Sequence, residues 1–258
     1  MEWLTDDILV SGSRDRLLKV WDTRSAGSHG GAALPVLSPV GTCTGHARRL
    51  RALSHMTGPQ LLASLSVDGV VRLWDASGGL MPVGTGITLP GIVSEDTCCL
   101  ASAGPTPNGH VASHPHVLVA GGLELYVLDV RCRGTERTVL TMPAHDRRLG
   151  VRSLSMLDHL LTVGAADGSL SFLDMRAGRY MPVRAALPGG MQTDQDLETL
   201  RVGPGRRRDG GMPQGHNDMT VLSQAVFCHA WDPTHRRLAT AGGPILAGTA
   251  GCYAAVWS

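Results

Sequence analysis

Ser64-Leu65-Ser66-Val67-Asp68-Gly69-Val70-Val71-Arg72-Leu73-Trp74-Asp75 reads as a strand ending in small residues, a tight turn built on Asp-Gly, and a second strand closed by Trp-Asp. The same phrase runs from Ser11 to Asp22, where Ser11-Gly12-Ser13-Arg14-Asp15 leads into Leu17-Leu18-Lys19-Val20-Trp21-Asp22. A weaker copy takes Val163-Gly164-Ala165-Ala166-Asp167-Gly168 into Leu170-Ser171-Phe172-Leu173-Asp174, and a degenerate one takes Leu118-Val119-Ala120-Gly121-Gly122 into Leu125-Tyr126-Val127-Leu128-Asp129. Asp and Gly suit the turn of such a hairpin because they tolerate its backbone angles. A unit that recurs along a chain buries its apolar faces against its neighbours, so the repeat decides the fold before any single residue does.

The phrase resembles a blade of a WD40 β-propeller, and the expectation is an all-β chain holding about five blades of a larger ring of the seven-bladed type. The units are approximately 1–44, 45–95, 96–142, 143–179 and 225–258. In the first, Ile8 to Gly12 and Leu17 to Trp21 are strands, but nothing before them reads as an innermost strand, so the array is expected to start mid-blade. The second is the most complete, with Gly45-His46, an inner strand from about Ala52, a strand at Leu61 to Ser64, Asp68 and Trp74. The third takes Cys98-Cys99-Leu100 as its inner strand, and the fifth ends at Trp257-Ser258 with no outer strand. Residues 180–224, rich in Gly, Pro, Arg and Gln with little period-2 pattern, are expected to form a partly disordered surface insertion.

With 258 residues, 43% of them hydrophobic, 33 glycines and 15 prolines, the composition suits many short strands joined by tight turns. A net charge of +1 gives no reason to expect nucleic acid or a membrane surface as partner. The six cysteines contain no C-x-x-C pair and are expected to be reduced, small buried hydrophobes of an intracellular protein. Met1 to Asp7 has no basic segment followed by an apolar run, and no uninterrupted apolar stretch approaches the ~18 residues of a membrane helix.

His46, Ser64, Asp68 and Trp74 are expected to form a hydrogen-bonded chain that satisfies polar groups at one end of the second blade. A hydrolase using His145 and the blade serines is disfavoured, because Ser, His and Asp recur once per repeat, as a structural network does and an active site does not. The spacing of His110, His114 and His116 could close on zinc, yet no thiolate or carboxylate lies beside them and a solvated loop is the better reading; no metal or cofactor is expected. Arg206-Arg207-Arg208 reads likewise as a solvated loop.

Two arginine patterns stand above this background. Arg51-Ala52-Leu53-Ser54 and Arg152-Ser153-Leu154-Ser155 occupy the same place in two blades, at the start of the inner strand, which opens on the top face beside the central channel. Arg14 sits in a turn on that same face, and Arg49 is two residues from Arg51. Guanidiniums converging on a channel mouth repel one another unless an anion satisfies them, and their planar fork matches a carboxylate or phosphate; pairing of each with a blade-top Asp is the competing reading. The second pattern is Asp-x-Arg at the end of a strand, in Asp22-Thr23-Arg24, Asp129-Val130-Arg131 and Asp174-Met175-Arg176, on the opposite face. There the Asp is a turn former, while the Arg has no turn role and is expected to be exposed for a partner.

Trp21-Asp22-Thr23-Arg24 matches the box by which WD40 substrate receptors of cullin-4 ubiquitin ligases contact their damaged-DNA-binding adaptor. More closely, Ile8 to Asp15, Leu160 to Gly164 with Gly168-Ser169-Leu170, Asp174-Met175-Arg176-Ala177, and Ala241-Gly242-Gly243-Pro244 with Tyr253 to Ser258 look like the twelfth branch of the DDB- and cullin-4-associated factor family. The resemblance implies a non-enzymatic, cytoplasmic and nuclear subunit that binds proteins ending in two glutamates and presents them, through a DDB-type adaptor, to cullin-4 and a RING subunit. It implies a basic degron pocket of Arg14, Arg51 and Arg152, with Arg49 where the family has Lys. Adaptor contact falls by the same resemblance to Asp174 and Arg176, with Leu173 replacing an aromatic, and to Asp22 and Arg24. Because the family chain has further blades and a docking segment upstream of the position of Met1, the sequence is expected to be the C-terminal part of such a receptor. The rival expectation is a WD40 scaffold that binds an anionic peptide or phosphopeptide with no ligase.

Overall fold

A computed structural model describes residues 1–25, 37–92, 99–103, 114–132, 138–143, 150–182, 200–201, 224–232, 234, 236–244 and 252–257. They form five antiparallel sheets, met one after another along the chain. The first is β1 (Glu2–Trp3), β2 (Ile8–Gly12), β3 (Leu18–Asp22) and β4 (Gly41–Cys43). The second is β5 (Leu50–Met56), β6 (Leu61–Ser66), β7 (Val70–Asp75) and β8 (Met81–Thr88). The third is β9 (Cys99–Ser102), β10 (Val117–Gly121), β11 (Glu124–Asp129) and β12 (Thr138–Pro143). In the fourth, β13 (Val151–Leu157), β14 (Leu160–Ala165), β15 (Ser169–Asp174) and β16 (Arg179–Tyr180) are joined by β17 (Leu200–Arg201), which also pairs with β15. The fifth is β18 (Gln224–Trp231), β19 (Leu238–Pro244) and β20 (Tyr253–Trp257). No helix among the described residues is long and apolar enough to cross a membrane.

The core lies between the sheets. Successive residues of a strand point to opposite faces, so a sheet packed on both sides needs near-continuous apolar strands, as Leu61-Leu62-Ala63-Ser64-Leu65 supplies. Leu62 and Trp74, directly opposed across β6 and β7, turn toward the first sheet and pack with Val10, Leu18 and Leu50. Ala63, Leu65 and Leu73 turn the other way, onto Leu100, Leu118 and Tyr126 of the third sheet. Val119, Leu125 and Val127 then meet Val151, Leu161 and Val163, and the last interface brings Leu170 and Phe172 to Val226, Trp231 and Trp257. The first strands of successive sheets, β1, β5, β9, β13 and β18, are neighbours in that order, with a parallel bridge between Ala103 and Met156. This is the propeller arrangement, in which every sheet presents one end of its first strand to the same face.

Two expectations are corrected, for the first strand and for the cysteines. Glu2–Trp3 does supply an innermost strand to the first sheet, pairing with Val10 and Leu9; two residues held by backbone hydrogen bonds carry no periodicity to read. The stretch 180–224 lies mostly outside the described residues; of it, Leu200 and Arg201 pair with Leu170 and Ser169 on the outer side of β15. The cysteines are not uniformly buried: Cys99 is, Cys43 and Cys132 are half-buried, and Cys228 and Cys252 are exposed. At the turns, Gly69 (φ 75°) and Gly168 (φ 81°) take the left-handed conformation, whereas the first sheet forces the same conformation on Arg16 (φ 70°).

Candidate functional site

The polar chain of the second blade is present with one expected member, Asp68, left out. His46 Nε2 lies 2.7 Å from Ser64 Oγ, and Trp74 Nε1 donates to the same oxygen at 2.8 Å. Asp68 stays out of it: its carboxylate accepts from Ser66 Oγ and from the Val70 amide, capping its own turn, and His46 Nδ1 has no partner among the described residues. The geometry is structural, since equivalent bonds recur from Trp21 Nε1 to Ser11 Oγ at 2.8 Å and from Trp257 Nε1 to Thr240 Oγ1 at 3.1 Å. Trp231 Nε1 reaches Thr162 Oγ1 at 3.1 Å and so ties the fifth sheet to the fourth. His145 and His110 lie outside the described residues.

Burial, with the Arg72 charge adding to it, depresses the His46 pKa to about 4, and burial does the same to His229, whose Nδ1 sits 2.8 Å from Ser153 Oγ. Both are neutral when folded and take up a proton more readily when unfolded. Their contribution to stability is therefore complete above the unfolded value near 6.5 and is lost as pH falls toward about 4. Urea denaturation should give a plateau above about pH 6.5 and a decline below it, and His46→Gln with His229→Gln should flatten that decline. An unchanged slope in the double variant would exclude these two groups as its source.

In the second sheet the register of β5 on β6 runs Leu50 to Ser66 and then Ala52 to Leu65, so Arg51 is the extra residue of a β-bulge. In the fourth, Val151 pairs with Ala165 and Ser153 with Gly164, and Arg152 is the extra residue. The flanking bonds match too: the Leu50 amide donates to Ser13 O at 3.1 Å and the Val151 amide to Gly122 O at 2.9 Å, each the turn carbonyl of the preceding sheet. A bulge breaks the pleat and re-aims its side chain. Arg14 follows Ser13 directly, so its turn is one hydrogen bond from the start of β5, and the Arg49 carbonyl accepts from the Val67 amide at 3.1 Å. The four sequence-named arginines therefore lie on one face.

Their environments differ. Arg14 and Arg51 are exposed, and neither side chain is engaged with an acid among the described residues, so pairing with a blade-top Asp does not account for them. Arg49 and Arg152 are half-buried, each already interacts within the fold, and the Nε of both is shielded from water. A third bulge of the same kind, with Val226 on Gly242 and Cys228 on Ala241, leaves Phe227 as the extra residue in β18. Sequence reasoning missed it because the position is defined by pairing and the residue has a different chemistry. The matching position of the third sheet, Cys98, lies outside the described residues.

Asp22, Asp129 and Asp174 close the strands at the other end, where Asp174 is opposite Leu160 and Asp22 opposite Ile8. A six-residue strand separates the two ends by roughly 20 Å. Two of the three box arginines do have a role in the turn, contrary to expectation. Arg24 folds back on Asp22 as a fork, Nε to Oδ1 at 3.0 Å and Nη2 to Oδ2 at 2.9 Å, and Arg131 does so on Asp129 at 3.0 and 2.6 Å. These guanidiniums hold both carboxyls below the usual carboxylate range. Arg176 departs from the pattern: its backbone amide and that of Ala177 bond Asp174 Oδ1 at 2.9 and 3.2 Å, but its Nε stands 3.8 Å away. Those two amides, more than the Arg176 charge, lower the Asp174 pKa, and the Arg176 side chain remains 63% exposed.

Repeated four-stranded sheets around adjacent first strands, with Trp-to-hydroxyl bonds inside them, define a WD40-type β-propeller. The sequence model of the DDB1- and CUL4-associated factor 12 β-propeller matches residues 1–258, and the chain belongs to that family. It is also similar to nuclear distribution protein nudF 2 of Penicillium rubens, at 38% identity over 71 residues. That match spans 28% of this chain and 13% of that protein.

Proposed function

We propose that this propeller is a non-catalytic substrate receptor of a cullin-4 ubiquitin ligase, reading acidic C-termini on one face and docking the DDB1-type adaptor on the other. Family membership supports the ligase connection, because the family is named for association with DDB1 and CUL4. The observation that carries the recognition reading is the repeated bulge, which places Arg51 and Arg152 at the same register position in two sheets. A peptide ending in Glu-Glu offers three carboxylates, and guanidiniums gathered on one face satisfy them by charge-assisted hydrogen bonds. The chain's contribution to ubiquitination would be affinity and position, with the chemistry on the other subunits.

Docking is assigned to the opposite ends of the strands, with Asp174 and Arg176 as the leading pair and Asp22 and Arg24 as the second. Arg24 must give up its fork on Asp22 to reach a partner, whereas Arg176 has no such bond to break. Arg176→Ala should therefore reduce adaptor co-purification about tenfold, Arg24→Ala less, and neither should alter peptide affinity. Loss of peptide binding with the adaptor retained would reverse the assignment of faces, and purification of a full set of interactors without adaptor or cullin-4 would favour a scaffold.

A further inference from the structure

Phe227 is 47% exposed at the position where the second and fourth sheets carry Arg51 and Arg152. It does not fill the interface between the fourth and fifth sheets, which is made by Val226, Phe172, Trp231 and Trp257 with Leu170 and Leu238. One exposed aromatic is ordinary on a protein surface; what singles out Phe227 is that it stands at the bulge position from which two other sheets present guanidiniums, where an aromatic ring offers a large apolar contact in place of a charge. Its chemistry excludes some occupants: acidic side chains are better served by the arginines, and a lysine would be repelled by them.

Building on the degron reading above, we infer that Phe227 is a specificity-determining residue of the peptide site, packing against an apolar side chain upstream of the acidic terminus. The spacing indicates which one. β18 is the neighbour of β13, and packed sheets lie about 10 Å apart while an extended peptide advances about 3.3 Å per residue. A peptide held by its terminal pair at Arg152 therefore reaches Phe227 about three residues further in, near the fourth or fifth residue from its end. Recognition is then bipartite, a charged terminus plus one apolar side chain, which restricts binding to a subset of acidic C-termini.

The test uses peptides ending in Glu-Glu with Leu, Gly or Asp placed in turn at the third to sixth positions from the end, titrated into the purified protein and into Phe227→Ala and Phe227→Arg variants. Leu at the fourth or fifth position should bind wild type about tenfold more tightly than Gly, the order expected for burying one apolar side chain. Phe227→Ala should erase that preference, bringing the Leu and Gly peptides to within about twofold of one another. Phe227→Arg, which installs the residue of the two equivalent positions, should shift the preference to Asp, and it serves should the alanine variant fail to fold. Equal affinity for Leu and Gly in wild type, or a Leu preference that survives both variants, overturns the proposal. If no Glu-Glu peptide binds at all, or Arg51→Ala and Arg152→Ala bind as wild type does, the degron reading itself fails and this inference with it.

Discussion

Arg152→Ala is expected to weaken binding of a Glu-Glu peptide about a hundredfold, equivalent to about 2.7 kcal/mol. The magnitude follows from environment. Arg152 is half-buried and its Nε is shielded from water, so a carboxylate meeting it does so at reduced dielectric, where breaking a charge pair costs about 2–5 kcal/mol. Arg51 occupies the equivalent bulge but is exposed, so its removal should cost less, about three- to tenfold, and that loss should shrink as salt is raised. Amidating the peptide's C-terminus removes one of the three carboxylates and should lower affinity in wild type by roughly tenfold. Calorimetry giving wild-type affinity for both variants would remove the pocket from this face.

Trp74→Ala should destabilise the fold by about 3–5 kcal/mol. Trp74 is 1% exposed, packs with Val10, Leu18, Leu50 and Leu62, and donates to the Ser64 hydroxyl that also meets His46. The alanine therefore opens a cavity between two sheets and leaves a buried polar chain short of a member. Trp74→Phe keeps most of the ring and loses the Nε1 bond, so about 1–2 kcal/mol is expected. For a chain of this length the first change lowers the melting temperature by roughly 10 °C and the second by a few degrees. Indistinguishable melts for the two variants would mean that the interface relaxes around the loss instead of depending on the indole.

The blade pattern was visible in the chain because it is local. Ser64 and Trp74, or Ser11 and Trp21, lie ten residues apart across one hairpin, so residue spacing and the Trp-Nε1 bond report the same geometry. Thr162 and Trp231 make the same type of bond 69 residues apart, and no spacing announces it. Asp68 looked like a partner for His46 because both occupy the repeat's usual positions, yet Ser66 stands closer to its carboxylate and takes it. Arg24 and Arg131 looked free for a partner because Asp-x-Arg names residues without their rotamers; a fork onto the preceding Asp is the local minimum, and only Arg176 stays out of it.

The candidate site divides along the same line. Arg14, Arg49, Arg51 and Arg152 were marked by their place in the repeat, and strand alternation with turn chemistry sufficed to put them at one end of the sheets. That Arg51 and Arg152 are bulge residues, that Arg152 is shielded while Arg51 is not, and that Phe227 shares their position are facts of pairing register and inter-sheet packing. The bulges lie between consecutive strands, so distance along the chain does not hide them; one extra residue in a strand redirects its side chain without leaving any mark in composition or period.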